Sequence, residues 1–237
     1  MRALSSSDCL SLWESGAGLH PLDQSLLALC AALPDASPDT LIDWPLGRRN
    51  IALAQLRCSS FGPRLLGSTA CCRCGEKLEV EVDGRSLAGE VTGQDQVSEE
   101  PVVVDGRSFR LLTTRDLAKV ARETDARLAS IRLVESCCLE SEESPVWSDE
   151  DLDQIGQELA MADPRAETRL ALSCPVCENE WEENLDIACF LWREIEARAR
   201  RLLFEIHTLA SAYGWTEADI LSLSDRRRTF YLEMAQS

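Results

Sequence analysis

Apolar residues recur every three or four positions along the N-terminal quarter of the chain, and this spacing predicts helices. The segments SSDCLSLWESG and PLDQSLLALCAAL have the pattern, and the first begins behind polar residues that can cap free backbone N–H groups. The segment GRRNIALAQLRCSSFG repeats it as far as Gly62-Pro63, where a helix is expected to end. We therefore predict a helical N-terminal segment over residues 1–62.

The C-terminal segment has the most regular helical spacing. A continuous apolar stripe predicts one long helix, and this stripe could pack inward or against a partner. Its members are Ala188, Leu191, Ile195, Ala199, Leu202, Ile206, Leu209 and Tyr213. Gly214 is expected to end this helix, and Thr216 can cap a shorter one. This predicts a helical segment over residues 188–237. The basic run Arg226 to Arg228 is expected to be a solvated helix face, and contact with an acidic partner is the alternative.

Two other segments alternate between apolar and polar residues, as strands do. They are RLLGSTACCRCGEKLEVEVDG and ETRLALSCPVCENEWEENLDI, and each predicts two strands joined by a cysteine-containing turn. Between them we expect a loop from Ser86, a hairpin at Asp105-Gly106, one or two helices from Thr114 to Leu139, and an acidic connector leading into the helix IGQELAMA, which stops at Asp163-Pro164. The prediction is a unit shared by residues 63–85 and 166–187, with residues 86–165 inserted.

Composition and charge narrow the class of protein. The chain has 237 residues, of which 45% are apolar, enough for a substantial core. No apolar run approaches the roughly 20 residues of a membrane span, and the N-terminus has no signal-peptide block, so a cytoplasmic protein without a membrane partner is expected. The formal net charge of -17 would repel a phosphate backbone, which argues against nucleic acid as a partner.

The cysteines carry the candidate chemistry. A count of eleven in a reducing compartment points to metal ligands rather than to a disulfide framework. Cys71 and Cys74 are separated by two residues, as are Cys174 and Cys177, and each pair lies between strand-like runs. A closed zinc site takes four ligands, so the two pairs predict one structural Zn²⁺. The predicted fold is therefore α+β, with a discontinuous four-cysteine zinc ribbon of two β-knuckles, N-terminal helices, a central hairpin and helix insertion, and a long C-terminal helix followed by a shorter one.

Two alternatives bear on the cysteines. Cys72 could replace Cys71 as a ligand, although the two-residue gap to Cys74 favours Cys71. The sequence Cys174-Pro-Val-Cys177 is also the form of a glutaredoxin-like redox site, but the acidic residues that follow would raise the thiol pKa. The other cysteines lie in helical runs and are expected to be small core residues: Cys9, Cys30, Cys58, Cys137, Cys138 and Cys189. With two histidines and no phosphate-binding loop, the chain is expected not to be an enzyme.

These residues also carry a resemblance to a known family. From CPVC through LDIACFLWREIEARARRLLFEIHTLASAYGWTEADILSLSDRRRTFYLEM, the chain resembles zinc-ribbon members of the T4-type baseplate hub assembly chaperone family, which occur in phage-tail-like contractile injection systems. The N-terminal MRALSSSDCLSLWESG, FGPRL and the first cysteine pair agree with it. The resemblance implies zinc ligation by Cys71, Cys74, Cys174 and Cys177, and no catalytic residues.

The function implied by this resemblance is non-enzymatic. We expect an assembly factor that helps a baseplate hub or spike protein to assemble. A permanent minor subunit of the baseplate is the alternative. A zinc-ribbon nucleic-acid adaptor comes third, because its fold suits the cysteines but its expected charge is opposite to that of this chain.

Overall fold

The structure is a computed structural model that describes residues 1–89, 100–140 and 146–235, and within these it is a mixture of helices and small antiparallel sheets. The helices are α1 (Ser6–Ser15), α2 (Pro21–Ala32), α3 (Pro38–Ile42), α4 (Leu46–Phe61), α5 (Gly84–Ala88), α6 (Thr114–Val120), α7 (Ala126–Cys137), α8 (Asp149–Ala162), α9 (Ile187–Tyr213), α10 (Glu217–Ser222) and α11 (Asp225–Ala235). The strands are β1 (Arg64–Ala70), β2 (Lys77–Asp83), β3 (Val102–Val104), β4 (Arg107–Phe109), β5 (Arg169–Ser173) and β6 (Glu180–Asn184). The predicted α+β class is confirmed.

Helix α9 is the centre of the main hydrophobic core. Asp186 caps its first turn by accepting hydrogen bonds from the N–H groups of Ala188 and Cys189, and Gly214 ends it in the left-handed conformation. The predicted stripe is buried from Ala188 to Leu209, and only Tyr213, in the last turn, is exposed. Helices α1, α2, α4, α10 and α11 pack around α9. The stripe therefore faces the interior of the protein.

The strands form three antiparallel hairpins in the described part of the chain: β1 with β2, β3 with β4, and β5 with β6. The hairpin β3–β4 turns at Asp105 and Gly106, whose φ angles of 49° and 79° are those of a tight two-residue hairpin turn. This confirms the hairpin predicted from the sequence Asp-Gly. The other two hairpins contain the cysteine pairs at their turns.

A second hydrophobic core lies within the segment predicted to be inserted. Its buried members come from β3, β4, α7, α8 and the segments next to them: Val104, Phe109, Leu111, Val134, Cys137, Trp147, Ile155 and Leu159. The main core contains none of these residues. The boundaries near residues 62, 85, 165 and 187 stay a prediction of how the chain divides.

Several local predictions differ from the structure. The loop was predicted to begin at Ser86, but Ser86 lies in helix α5. Residues 90–99 of the predicted loop lie outside the described residues. The acidic connector is helical from Asp149, because Ser148 and Asp151 form a capping box and acidic residues in a first turn suit the helix dipole. Residues 141–145 of that connector are outside the described part. Two short helices, α10 and α11, follow α9 where one was predicted.

The basic run at the start of α11 is only partly solvated, which corrects one prediction. Arg226 and Arg227 are exposed, but the side chain of Arg228 is 1% exposed. Its guanidinium group contacts Glu205 of α9 at 2.6 Å and Asp225 at 2.6 Å. Arg228 therefore joins α11 to the long helix inside the protein, whereas any contact with an acidic partner would be made by its two neighbours.

We expect Arg228→Met to lower the free energy of unfolding by about 3 kcal/mol, because it leaves the largely buried carboxylate of Glu205 with only the more distant, exposed Arg201, at 3.8 Å, as a cation. Arg227→Met removes the same charge from the exposed face and should change stability by less than about 0.5 kcal/mol. Urea unfolding monitored by circular dichroism would measure both. Equal effects of the two substitutions would contradict an internal role for Arg228.

A carboxylate from the far end of the inserted segment caps helix α4. Pro45, at the N-terminus of α4, offers no side-chain cap, and Asp163 instead accepts a hydrogen bond from the N–H of Gly47 at 2.8 Å. The other oxygen of this carboxylate lies so close that a Cβ atom on Gly47 would be 1.8 Å from it. Glycine at position 47 is therefore required by the approach of Asp163, a residue 116 positions later in sequence.

Two glycine substitutions separate this constraint from helix propensity. Gly47→Ala should lower the free energy of unfolding by about 1–3 kcal/mol, because the added methyl group displaces Asp163 from its cap. Gly156→Ala in α8 should raise it by up to about 1 kcal/mol, because a Cβ there meets no atom within 4 Å and alanine favours helix. Thermal and urea unfolding would test both, and a stabilising effect of Gly47→Ala would contradict the cap.

Candidate metal centre

The turns of β1–β2 and β5–β6 have the same backbone hydrogen-bond pattern. In the first, the N–H of Cys71 donates to the carbonyl of Glu76 at 2.8 Å, and the N–H of Gly75 donates to the carbonyl of Cys71 at 2.9 Å. In the second, the corresponding bonds join Cys174 to Asn179 and Glu178 to Cys174, both at 2.9 Å. Each hairpin therefore presents its two cysteines from an equivalent knuckle.

One residue in each knuckle has a positive φ angle. In the first knuckle it is Gly75 at 77°, and in the second it is Glu178 at 55°. Glycine adopts this conformation readily, whereas a residue with a side chain does so at a cost. The glycine in the first turn was visible in the sequence. The equivalent role of Glu178 was missed, because glutamate is not a turn signal and only its place after the second cysteine pair indicates it.

The structure brings the four predicted cysteines together. The Sγ atoms of Cys71 and Cys177 are 3.6 Å apart, and so are those of Cys74 and Cys174. All four sulfurs lie within 4.8 Å of one another. Four sulfurs at about 2.3 Å from a tetrahedral zinc ion would lie about 3.8 Å apart, so this arrangement fits such an ion. The four side chains can therefore hold one metal ion between the two hairpins.

Cys72 does not belong to this cluster. Its side chain is exposed, and its sulfur accepts a hydrogen bond from the side-chain amide of Asn179 at 3.3 Å. A second contact between the hairpins joins the hydroxyl of Thr69 to the carboxylate of Glu183 at 3.0 Å. Cys72 and Asn179 thus connect the two knuckles on their outer side, and the four sulfurs meet on the inner side. Asn179 is another residue that sequence reasoning missed.

Without a metal ion, neighbouring thiols of the cluster differ in pKa. The pKa of Cys71 falls to about 6, chiefly because the backbone N–H of Cys74 points at its sulfur, with a further contribution from the N–H of Arg73. For Cys74, the N–H of Glu76 acts to lower the pKa, but the neighbouring sulfur of Cys177 and burial raise it to about 12. Sulfurs this close resist full deprotonation without a cation. A metal ion would supply that positive charge and release the remaining protons.

The redox alternative for Cys174 required a thiol at a helix N-terminus, where the helix dipole lowers its pKa. Cys174 instead follows strand β5 and lies in a hairpin turn.

Among the remaining cysteines, Cys9 and Cys137 are buried as expected. The other four are partly buried. Cys30 and Cys138 still pack against the two cores, whereas Cys58 and Cys189 belong to neither, so the expectation of a core position fails for these last two.

The hairpin β1–β2 is anchored to the helices by a buried arginine. Arg57 of α4 donates to the carboxylate of Glu194 of α9 at 2.6 and 2.8 Å, and also to the carbonyl oxygens of Gly62 and Arg64. At the same end of the hairpin, just after β2, Gly84 lies so near Leu65 that a Cβ atom there would be 2.5 Å from its side chain. These contacts fix the base of the hairpin, and the cysteines lie at its tip.

No protein-family model matches this chain, and no curated protein or solved structure matches it either. Among the described helices, none has both the length and the apolar character that crossing a bilayer requires.

We expect Cys174→Ser to abolish stoichiometric metal binding and to lower the melting temperature, because the ion would lose one of four ligands and with it the bonds that join the two hairpins through the metal. Cys72→Ser is the matched control, since it removes a neighbouring thiol outside the cluster. Elemental analysis by plasma mass spectrometry and thermal unfolding would measure both. Metal lost equally from both variants, or retained by Cys174→Ser, would contradict the assignment.

Proposed function

We propose that Cys71, Cys74, Cys174 and Cys177 hold one structural Zn²⁺ and that the two hairpins around it form a zinc ribbon. The observation that supports this is the meeting of two equivalent knuckles with all four sulfurs within 4.8 Å. Thiolate ligands favour zinc over the harder cations that prefer oxygen ligands. A set of four cysteines leaves no open coordination position for a substrate. The proposed ion therefore has a structural role.

We further propose that the protein is a non-enzymatic assembly factor for the baseplate hub or spike of a phage-tail-like contractile injection system. The support is the resemblance of its cysteine pairs and its C-terminal sequence to the T4-type baseplate hub assembly chaperone family. The surface suits contact with proteins: apolar side chains such as Leu66, Val176, Phe204 and Phe230 are exposed in a chain of net charge -17. Such a charge suits a partner with a basic or mixed surface.

Deleting the gene should leave hub or spike proteins unassembled, and mass spectrometry of finished particles should detect little or none of this protein. Stoichiometric copies in mature particles would contradict a transient role and would favour a permanent baseplate subunit. Binding to DNA that is tight and weakens steeply with salt would favour the nucleic-acid adaptor, because counterion release produces that salt dependence. Normal particles from the deletion strain would contradict the proposed function.

A further inference from the structure

A cleft of about 940 Å³ lies between helix α4 and the inserted segment. Much of its wall is apolar, and the leucines that line it come from α4, α6, α7, α8 and the segment before α6: Leu46, Leu111, Leu112, Leu117, Leu133 and Leu159. Its volume is within the range of clefts that bind small molecules, about 300–1,000 Å³. Such sites combine an apolar wall with a few polar groups that orient the ligand.

One of the groups that line this cleft is a buried arginine without an acidic partner. Arg49 is 8% exposed, and its guanidinium group donates only to neutral oxygens. These are the amide oxygen of Asn50, at 2.9 and 3.1 Å, and the hydroxyl of Thr114, at 3.3 Å. In the described parts of the chain no carboxylate forms an ion pair with Arg49, and two of its five N–H donors stay available. Buried charges are normally paired.

The described carboxylates near the cleft form no ion pair with Arg49. Asp163, which lines the cleft, caps α4 through Oδ2, while its Oδ1 is buried without a hydrogen-bond partner, and Asp186 caps α9. Burial lowers the pKa of Arg49, and the charge of Asp186 offsets this only in part, as expected for a carboxylate beyond ion-pair distance. Glu182, on the cleft wall, pairs with Arg169 at 3.6 Å. None of these carboxylates therefore forms an ion pair with Arg49.

Helix α8 leaves space on its side of the cleft. Gly156 lies in the middle of the helix and lines the cleft, and a Cβ atom there would meet no atom within 4 Å. Glycine in a helix interior costs about 1 kcal/mol relative to alanine, and no neighbouring side chain requires it here. Ala160, one turn later, is also on the cleft wall. Small residues at both positions keep this side of the cleft open.

We propose that this cleft binds a ligand with an apolar body and a carboxylate group, and that the carboxylate accepts hydrogen bonds from Arg49. Guanidinium and carboxylate groups match in geometry and form strong charge-assisted bonds. The apolar body would lie against the leucine wall. Two sources share this chemistry, a free aliphatic acid and the C-terminal carboxylate of a polypeptide with an apolar last residue. The inference is independent of the proposed function.

Isothermal titration of the full chain with octanoate, octanol and octylamine tests the charge requirement. Octanoate should bind at least about 10-fold more tightly than the other two, because only its head group is an anion, which forms charge-assisted hydrogen bonds with the buried guanidinium. Arg49→Met should weaken octanoate binding by about 10-fold or more, while Arg227→Met, which removes an exposed arginine, should leave it unchanged. Equal binding of the three probes, or no octanoate binding at millimolar concentration, would overturn the proposal.

Gly156→Leu tests the location of the site without removing any existing contact. Leucine favours helix over glycine, so this variant should unfold no earlier than the wild-type protein, and its side chain should block octanoate binding by about 10-fold or more. Unchanged octanoate affinity in the folded variant would overturn the site. A short peptide ending in leucine, compared with its C-terminal amide, distinguishes the sources. Tighter binding of the free-acid peptide than of octanoate supports a polypeptide terminus, and the reverse order supports an aliphatic acid.

Discussion

The two cysteine pairs approach one another from turns that are far apart in sequence, and much of the structure depends on this meeting. Cys74 and Cys174 are separated by 100 residues, and the inserted segment with its own core lies between them. Closing a loop of this length costs little more than closing a short one, about 0.6 kcal/mol for each doubling. A structural zinc ion supplies roughly 10–16 kcal/mol. The proposed ion can therefore hold the two hairpins together despite the intervening segment.

The rest of the structure is consistent with a chain whose two ends are joined around an insertion. Helices from both ends form the main core around α9, and Arg57 connects the first hairpin to that helix through Glu194. The inserted segment is attached through Asp163, which caps α4, and through Arg49, which contacts Thr114. The cleft between them results from this attachment. Position 47 is restricted to glycine because this attachment brings Asp163 close to it.

Much of this arrangement could be predicted from the sequence where local patterns are strong. The stripe of α9 and the cysteine pairs indicate their structure through spacing, and the hairpin does so through its turn residues Asp105 and Gly106. What the sequence did not indicate depends on contacts between distant residues. The run containing Arg228 looks uniformly basic, and only the packing of α11 on α9 buries one of its members.

Contacts between distant residues also determine the parts of the metal centre that the sequence did not indicate. The proximity of the four sulfurs could be inferred from the equal two-residue spacing within the two cysteine pairs. The outward position of Cys72 could not, because it depends on Asn179 in the other hairpin.

X-ray absorption at the zinc edge of the purified protein is the most direct test of the shared site. A zinc site shared by the two hairpins predicts one zinc per chain with four sulfur ligands at about 2.3 Å. Nitrogen or oxygen ligands in place of sulfur, or a protein that folds fully without metal, would contradict it.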